Sequence, residues 1–457
     1  MAFFKAKEEQ VSLKLLVNTE TNKVLFAEAE KDFVDILCSF LTLPLGTIAS
    51  LLQKESNMGP VTIGCLNKLY RSVENLRLLP SNNSSEDYCR TLKINIDDTQ
   101  PTKYFMCSKF NDYNYRYHHY LTTGTNKLYC SFGNRLNRSV SLAQLCNGFV
   151  KDAATFIVTD NLTVLPHSMD HTLFGLINNL GMQSTSLVKE MTVNVTKKKV
   201  LDLLKCSLLS KTPLTDLFLG MKPSIASSRI LPYDIKNVID GGIYITVKLV
   251  VRKSSNTILF AQGGQDFADL IIRFLTFPLG GVLRKLEGNS SLGSIDGLYK
   301  SITNLNEDNY FKCKEARNRL LTLSVLHYYC NYRFDARNKR IFDAMLFKRD
   351  DEDRSNDGNF RKMKLVNTIS SMGSPYGQVN RPEMYVVTDD LVVEPLLSPI
   401  SSLYLLNRFE IPLSDLKEQV VVIGMKESLS ILKAALTSTS ALTNGLRHLL
   451  TKVKAEE

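Results

Sequence analysis

Several large classes of protein are excluded by what this sequence lacks. No stretch approaches the roughly 18 uncharged apolar residues of a membrane-spanning helix, so none is expected. The opening, Met1-Ala-Phe-Phe-Lys-Ala-Lys-Glu-Glu-Gln10, has no apolar core of the kind a secretory leader needs. No Cys-x-x-Cys pair is present, and structural zinc knuckles are built on such pairs. There is no Walker A loop, no Gly-x-Gly-x-x-Gly following a strand and no serine nucleophile elbow. The Gly-Gly pairs at 263–264 and 280–281 lack the lysine and hydroxyl of a phosphate loop.

What is present describes a globular chain. Apolar residues make up 44% and charged residues 22% of 457, which excludes disorder, collagen or coiled coil as a description of the whole. At about 150 residues per domain, two or three domains are expected. The net charge is 56 − 46 = +10. Up to Ser228 there are 25 basic and 20 acidic residues, and beyond it 31 and 26, so each part carries +5. The excess is dispersed, as on an ordinary solvated surface, whereas nucleic-acid binding needs it on one face. Nine cysteines, an odd number in a chain without a leader, read as reduced thiols of a soluble intracellular protein, cytoplasmic or nuclear.

An internal repeat is visible. Residues 22–46 read NKVLFAEAEKDFVDILCSFLTLPLG and residues 256–280 read NTILFAQGGQDFADLIIRFLTFPLG, with 13 of 25 positions identical and no gap. Phe156-Ile-Val-Thr-Asp-Asn-Leu162 answers Tyr385-Val-Val-Thr-Asp-Asp-Leu391, and Val200-Leu-Asp-Leu-Leu-Lys205 answers Ser428-Leu-Ser-Ile-Leu-Lys433. The order is conserved, so two tandem units are expected at 11–219 and 243–446. Between them, 220–242 is rich in Gly, Pro and Ser and reads as a linker.

Each unit opens with a hairpin, Val11–Val17 with Lys23–Ala27 and Ile243–Val251 with Thr257–Ala261. A helix follows, with Asp32 or Asp266 as its expected N-cap. Phe33, Ile36, Leu37, Phe40 and Leu41 recur at helical spacing, and Pro44 stops the helix. Each unit closes as strand, helix, strand, helix. The last helices run through Leu201–Leu209 and Leu429–Leu436, and Thr212-Pro213 opens a further turn that Ser440 matches. The fold class expected is α+β with a mixed sheet, the two units differing in divergent middles at 77–147 and 306–376.

The phrases Asp32-Phe-Val-Asp-Ile-Leu-Cys-Ser-Phe-Leu-Thr-Leu-Pro-Leu-Gly46, Phe156-Ile-Val-Thr-Asp-Asn-Leu162 and Ser210-Lys-Thr-Pro-Leu-Thr215 resemble the plant proteins grouped as domain of unknown function 674. The resemblance covers nearly the whole chain and implies a plant source and tandem copies. It brings no biochemical activity. The resemblance also implies extra cysteines in the middle region of many members, near a Tyr-Phe-x-Cys and a Cys-Ser-Cys-Gly-like phrase. Here the second place reads Cys130-Ser-Phe-Gly133, with phenylalanine where the second cysteine would stand, which argues against a metal site.

Each candidate for chemistry has a plainer reading beside it. Tyr104-Phe-Met-Cys107 with His118, His119 and Cys130 offers zinc-type ligands, but Tyr310-Phe-Lys-Cys313, His327 and Cys330 do not repeat the set. His167 and His171 would share a helix face, and the partner stretch has no histidine. Asp160, Asp389 and Asp390 follow strands, where carboxylates serve catalysis, yet Asp-Asn and Asp-Asp are also turn formers. Tyr113-Asn-Tyr-Arg-Tyr-His-His-Tyr120 suits base stacking or a protein contact, and Arg317, Arg319, Arg333, Arg337 and Arg340 mark the second middle as basic. The run Lys348–Gly358 reads as a surface loop.

No catalytic, cofactor-binding or metal-ligating residue is assigned, and no cofactor or small-molecule ligand. The expectation is a binding or scaffolding protein whose partner is more often a protein than a nucleic acid, with no membrane, engaged through the divergent middles. A substrate cleft between the units, or weak nucleic-acid binding, is the alternative.

Overall fold

The computed structural model describes residues 10–76, 148–152, 154–167, 187–220, 244–321, 384–396 and 398–452, with the short strands Tyr104–Cys107, Leu121–Thr122, Leu136–Val140, Phe347–Arg349 and Met363–Leu365. The expected linker, from residue 221 to its end, and most of both middles lie outside the described residues.

Two five-stranded sheets dominate. The first contains β1 (Val11–Asn18), β2 (Lys23–Ala29), β3 (Phe156–Thr159), β4 (Val164–Pro166) and β5 (Val188–Val195), in the order β4-β3-β2-β1-β5. The second contains β6 (Ile245–Arg252), β7 (Thr257–Gly263), β8 (Tyr385–Thr388), β9 (Val393–Pro395) and β10 (Leu416–Ile423), in the order β9-β8-β7-β6-β10. The two orders match strand for strand. Helices α1 (Lys31–Thr42), α2 (Leu45–Leu52), α3 (Leu66–Leu76), α4 (Lys197–Leu209) and α5 (Pro213–Leu219) accompany the first sheet. Helices α6 (Gln265–Arg273), α7 (Leu279–Lys285), α8 (Ile295–Asn304), α9 (Lys314–Leu321), α10 (Pro399–Phe409), α11 (Met425–Thr437), α12 (Ala441–Gly445) and α13 (Arg447–Lys452) accompany the second.

The fold class is α+β, but every described strand pair is antiparallel, so the sheets are not mixed. The strand–turn phrases at 156 and 385 are hairpins, adding β4 and β9 to the expected set. Each opening hairpin carries a bulge at the same place. Leu16 pairs with Phe26 and Val17 with Val24, leaving Leu25 unmatched, and Leu259 is left over in the same way.

Asp32 and Asp266 are not N-caps. β2 continues to Ala29, which leaves Glu30 alone between strand and helix, and Glu30 takes the cap position with no side-chain bond. Gly264 does so in the second half. Each aspartate sits at the second helical position, and the phenylalanine after it, Phe33 or Phe267, is fully buried. The α1 helix does end before Pro44, and Thr212 and Ser440 do stand at the starts of α5 and α12.

The prolines do more than stop helices. A residue before proline is pushed out of the helical region, so Leu43-Pro44 and Phe277-Pro278 are extended. The two extended pieces meet antiparallel, Pro44 opposite Pro278. Leu45 N donates to Phe277 O at 2.9 Å, and Leu279 N donates to Leu43 O at 2.9 Å.

Further crossings follow the same reciprocal logic. Cys65 N donates to Ala435 O on α11, and Ser294 N donates to Ser207 O on α4, both at 2.8 Å. A Cβ on Gly64 would collide with the Ala435 carbonyl, and one on Gly293 with the Ser207 carbonyl. One apolar core, from Leu13 to Leu450, therefore runs through both halves. A second cluster lies on the other face of the second sheet, where Phe260 and Leu405 meet beneath α10 and the Phe260 ring stacks on Phe409 at 6.1 Å.

Gly280 marks the tightest point of α7. A Cβ there would collide with the Leu320 carbonyl of α9 and stand 3.0 Å from the Leu41 carbonyl of α1. Gly280→Ala is expected to lower stability by about 1–3 kcal/mol, the usual cost of overpacking. Chemical denaturation of the purified variant measures this, and an unchanged midpoint would show that α7 is free to shift.

Candidate functional site

The aspartates after β3 and β8 are the sequence candidates the structure describes best. In the first turn, Leu162 N closes on Thr159 O at 2.9 Å, with Leu162 left-handed at φ 61°. In the second, Leu391 closes on Thr388 with φ 63°. Left-handed backbone is unfavourable for leucine, and both side chains are fully buried, so burial holds each turn in shape.

The turn delivers its aspartate to the start of a later helix, α5 in the first half and α12 in the second. Asp160 accepts from Thr215 N at 2.9 Å and from Thr215 Oγ1 at 2.6 Å. The same hydroxyl accepts from Val24 N at 2.8 Å, beside the bulge of β2. Asp389 accepts from Thr443 N at 2.7 Å and Oγ1 at 2.9 Å, and Thr443 Oγ1 accepts from Ile258 N at 2.9 Å. Burial pushes the pKa of both aspartates up, against the pull of the threonine donors. Their carboxylates are occupied in joining turn, helix and strand.

Around Asp389 the structure gathers residues that look catalytic. Lys68 Nζ on α3 pairs with Asp390 Oδ2 at 2.7 Å, and Thr388 Oγ1 donates to Asp390 Oδ1 at 2.5 Å. Burial raises the Asp390 pKa, but the Lys68 ammonium and the threonine outweigh it and hold it below the usual range. Cys65 lies one turn before Lys68. Its thiol donates to Ser438 O at 3.0 Å, is fully buried, and is pushed up to about 12 by desolvation. A thiol that stays protonated and enclosed is no nucleophile. In the corresponding junction Ser294 Oγ donates to Ser210 O at 2.7 Å, and Asn161 and Gly297 stand where Asp390 and Lys68 do. That junction keeps the hydrogen bond and omits the ion pair.

A buried cation sits on α4. Lys205 is fully enclosed, and its ammonium donates to Lys54 O at 2.7 Å, Ser56 Oγ at 2.8 Å and Gly59 O. All three protons are used, pinning the 54–59 loop to the helix. Burial lowers its pKa, opposed by Asp202 and Glu55. Asp202 accepts from Met58 N at 3.2 Å. Desolvation pushes the Cys206 thiol beside Met58 up to about 12, and the Cys38 thiol higher still. Asp35 on α1 accepts from Phe149 N at 2.7 Å and Val150 N at 3.1 Å.

Among the described residues no group of three or more His, Cys, Asp or Glu side chains converges as a metal site would. His167 is exposed. His118, His119, Cys130, His171, His327, Cys330, Arg333, Arg337, Arg340 and Tyr113–Tyr120 lie outside the described residues. Arg317 bonds Glu307 at 3.1 Å and Thr303 O at 2.9 Å, which ties α9 to the end of α8.

The second sheet carries a feature that reading single motifs missed. β10 is an edge strand, and Val420 and Val422 on its outer face are 64% and 48% exposed. They pair with Lys248 and Thr246 of β6, and Tyr244, two residues before Thr246, is 61% exposed. Every exposed large apolar side chain among the described residues lies between Tyr244 and Met425, including Leu403 and Tyr404 on α10. The matching edge strand of the first sheet, β5, presents Thr192 and Asn194 instead. Aligning Thr-Val-Asn at 192–194 with Val-Val-Val at 420–422 would have exposed the difference.

A family model matches residues 7–426 and is described as protein of unknown function (DUF674). The chain belongs to that family. No curated protein and no solved structure matches it. No described helix of this family member is long and apolar enough to cross a membrane.

Two measurements check the junctions. Asp389→Asn puts an amide donor against the Thr443 hydroxyl, whose own proton then has no acceptor, and is expected to cost about 1–3 kcal/mol of stability. Asp390→Asn removes a half-exposed ion pair and is expected to cost at most about 1 kcal/mol. Equal losses in urea titrations would refute the distinction. In pH terms, the raised Asp389 and Asp160 values favour folding below the unfolded value of 3.8 and less so as pH rises through the folded ones, while the lowered Asp390 value acts oppositely. Separately, Cys38, Cys65 and Cys206 should resist a disulfide reagent at pH 8 until denaturant is added. Rapid labelling of any of them, located by peptide mapping, would contradict their enclosure.

Proposed function

We propose that this protein is a non-catalytic binding or scaffolding protein made of two homologous α+β units, 11–219 and 243–446, and that a protein partner docks on the outer face of the second sheet. The observation that carries this reading is the strip of Tyr244, Val420 and Val422 on an edge strand whose counterpart is polar. Apolar side chains on an open edge are ordinarily blunted by charge or polarity, as β5 is, because they invite pairing. Their retention on one sheet alone supports reading this face as a contact surface. The repeated phrases and the matching sheet orders support the two-unit description. The cysteines described are free thiols, which fits a plant cytoplasmic or nuclear setting.

The test replaces the strip by its counterpart. V420T/V422N alters exposed positions and is expected to change stability by less than about 0.5 kcal/mol. A photo-crosslinking residue at Tyr244, in protein expressed in plant tissue, is expected to trap a recurrent protein, and the double variant to lose it. The same adducts from both forms would count against the reading.

A further inference from the structure

We infer that the two halves hold each other as the subunits of an obligate dimer do, each serving as the other's partner, so that the covalent connection through 220–242 is dispensable once they have met. The inference uses the two-unit boundaries proposed above and concerns a different surface from the valine strip.

The contacts between the halves are reciprocal, as in an isologous interface. Leu45 with Phe277 and Leu279 with Leu43 exchange backbone bonds about the Pro44–Pro278 bridge. Cys65 with Ala435 and Ser294 with Ser207 repeat the exchange at a second level. Residues 149–151 also pair with 310–312, a single crossing that adds to the two reciprocal ones, where Val150 bridges Phe311 and both are buried.

Separating the halves would leave the amides of Leu45, Cys65, Leu279 and Ser294 without these acceptors and expose the apolar surface around them. Such groups are as a rule paired wherever they are buried. The glycines fit the same purpose. Gly64 and Gly293 each lack the Cβ that would strike the opposite half's backbone, and each has positive φ. Ion pairs close the rim: Lys31 and Lys312 share Asp152 at 3.5 and 3.4 Å, and Lys68 meets Asp390. An interface with backbone exchange, matched glycines and a continuous core is of the permanent kind.

The experiment starts from the full chain. A protease recognition sequence is inserted between Ser228 and Arg229, and lengthened with Gly-Ser until denaturing gels show complete scission of the purified protein. The expected result is co-elution of both fragments at the mass of the intact chain. Melting of the cut protein should fall on dilution, because assembly has become bimolecular, while the uncut protein melts independently of concentration. Fragments that elute apart at micromolar concentration, or a cut protein whose melting ignores a hundredfold dilution, would overturn the inference. Neither result bears on crosslinking at the valine strip, so the two readings fail separately.

Discussion

The exchange of hydrogen bonds between Leu43–Leu45 and Phe277–Leu279 is the constraint on which the rest of the molecule depends. It exists because proline denies the helical region to the residue before it. Two helices are cut at the same point, and each cut leaves an extended dipeptide with unpaired backbone groups. Those groups are buried and must be satisfied. Each finds its partner in the other half, and this brings the Leu41 carbonyl of α1 to 3.0 Å from where a Cβ on Gly280 of α7 would stand. The loops after α2 and α7 are then carried onto α11 and α4, where Gly64 and Gly293 meet carbonyls of the opposite half.

A second recurring device joins each sheet to its closing helices. The bulge at Leu25 or Leu259 lies where β2 or β7 has run past its outer neighbour, so the amide of Val24 or Ile258 turns to a threonine hydroxyl. That hydroxyl can accept from the strand only if its own proton has somewhere to go, and Asp160 or Asp389 receives it. The carboxylate is kept in a buried place, against its solvation, because three elements need one acceptor. A buried aspartate after a strand looks catalytic in a motif search. Here the geometry fills both its oxygens with donors from the protein itself.

Legibility in the sequence followed the strength of the local signal. The hairpins, the Phe33 helix and the Pro44 stop were readable because period and punctuation act locally. The Asp32 cap failed because its reading assumed a loop where the strand continues to the helix. The short strands β4 and β9 failed because three residues leave no period to detect. The reciprocal crossings were unreadable for a different reason. They are made by backbone atoms and by the absence of a Cβ, so no side-chain pattern announces them. Lys205 was passed over because a lone lysine in an apolar run gives no sign that three oxygens await it.

The differences between matched positions are more informative than the matches. Where both halves need a contact for the core, they reach it with different atoms: the Cys65 thiol and the Ser294 hydroxyl each donate to a carbonyl. Such exchanges conserve a hydrogen bond and change nothing outside. The replacement of Thr192 and Asn194 by Val420 and Val422 is of another kind. It satisfies no buried group, fills no gap and sets apolar surface against water on an edge that the other sheet keeps polar. The two valines stand exposed beside Lys248 and Thr246, and the docking surface proposed above rests on that contrast between the sheets rather than on the acidic turns, whose carboxylates are filled from within.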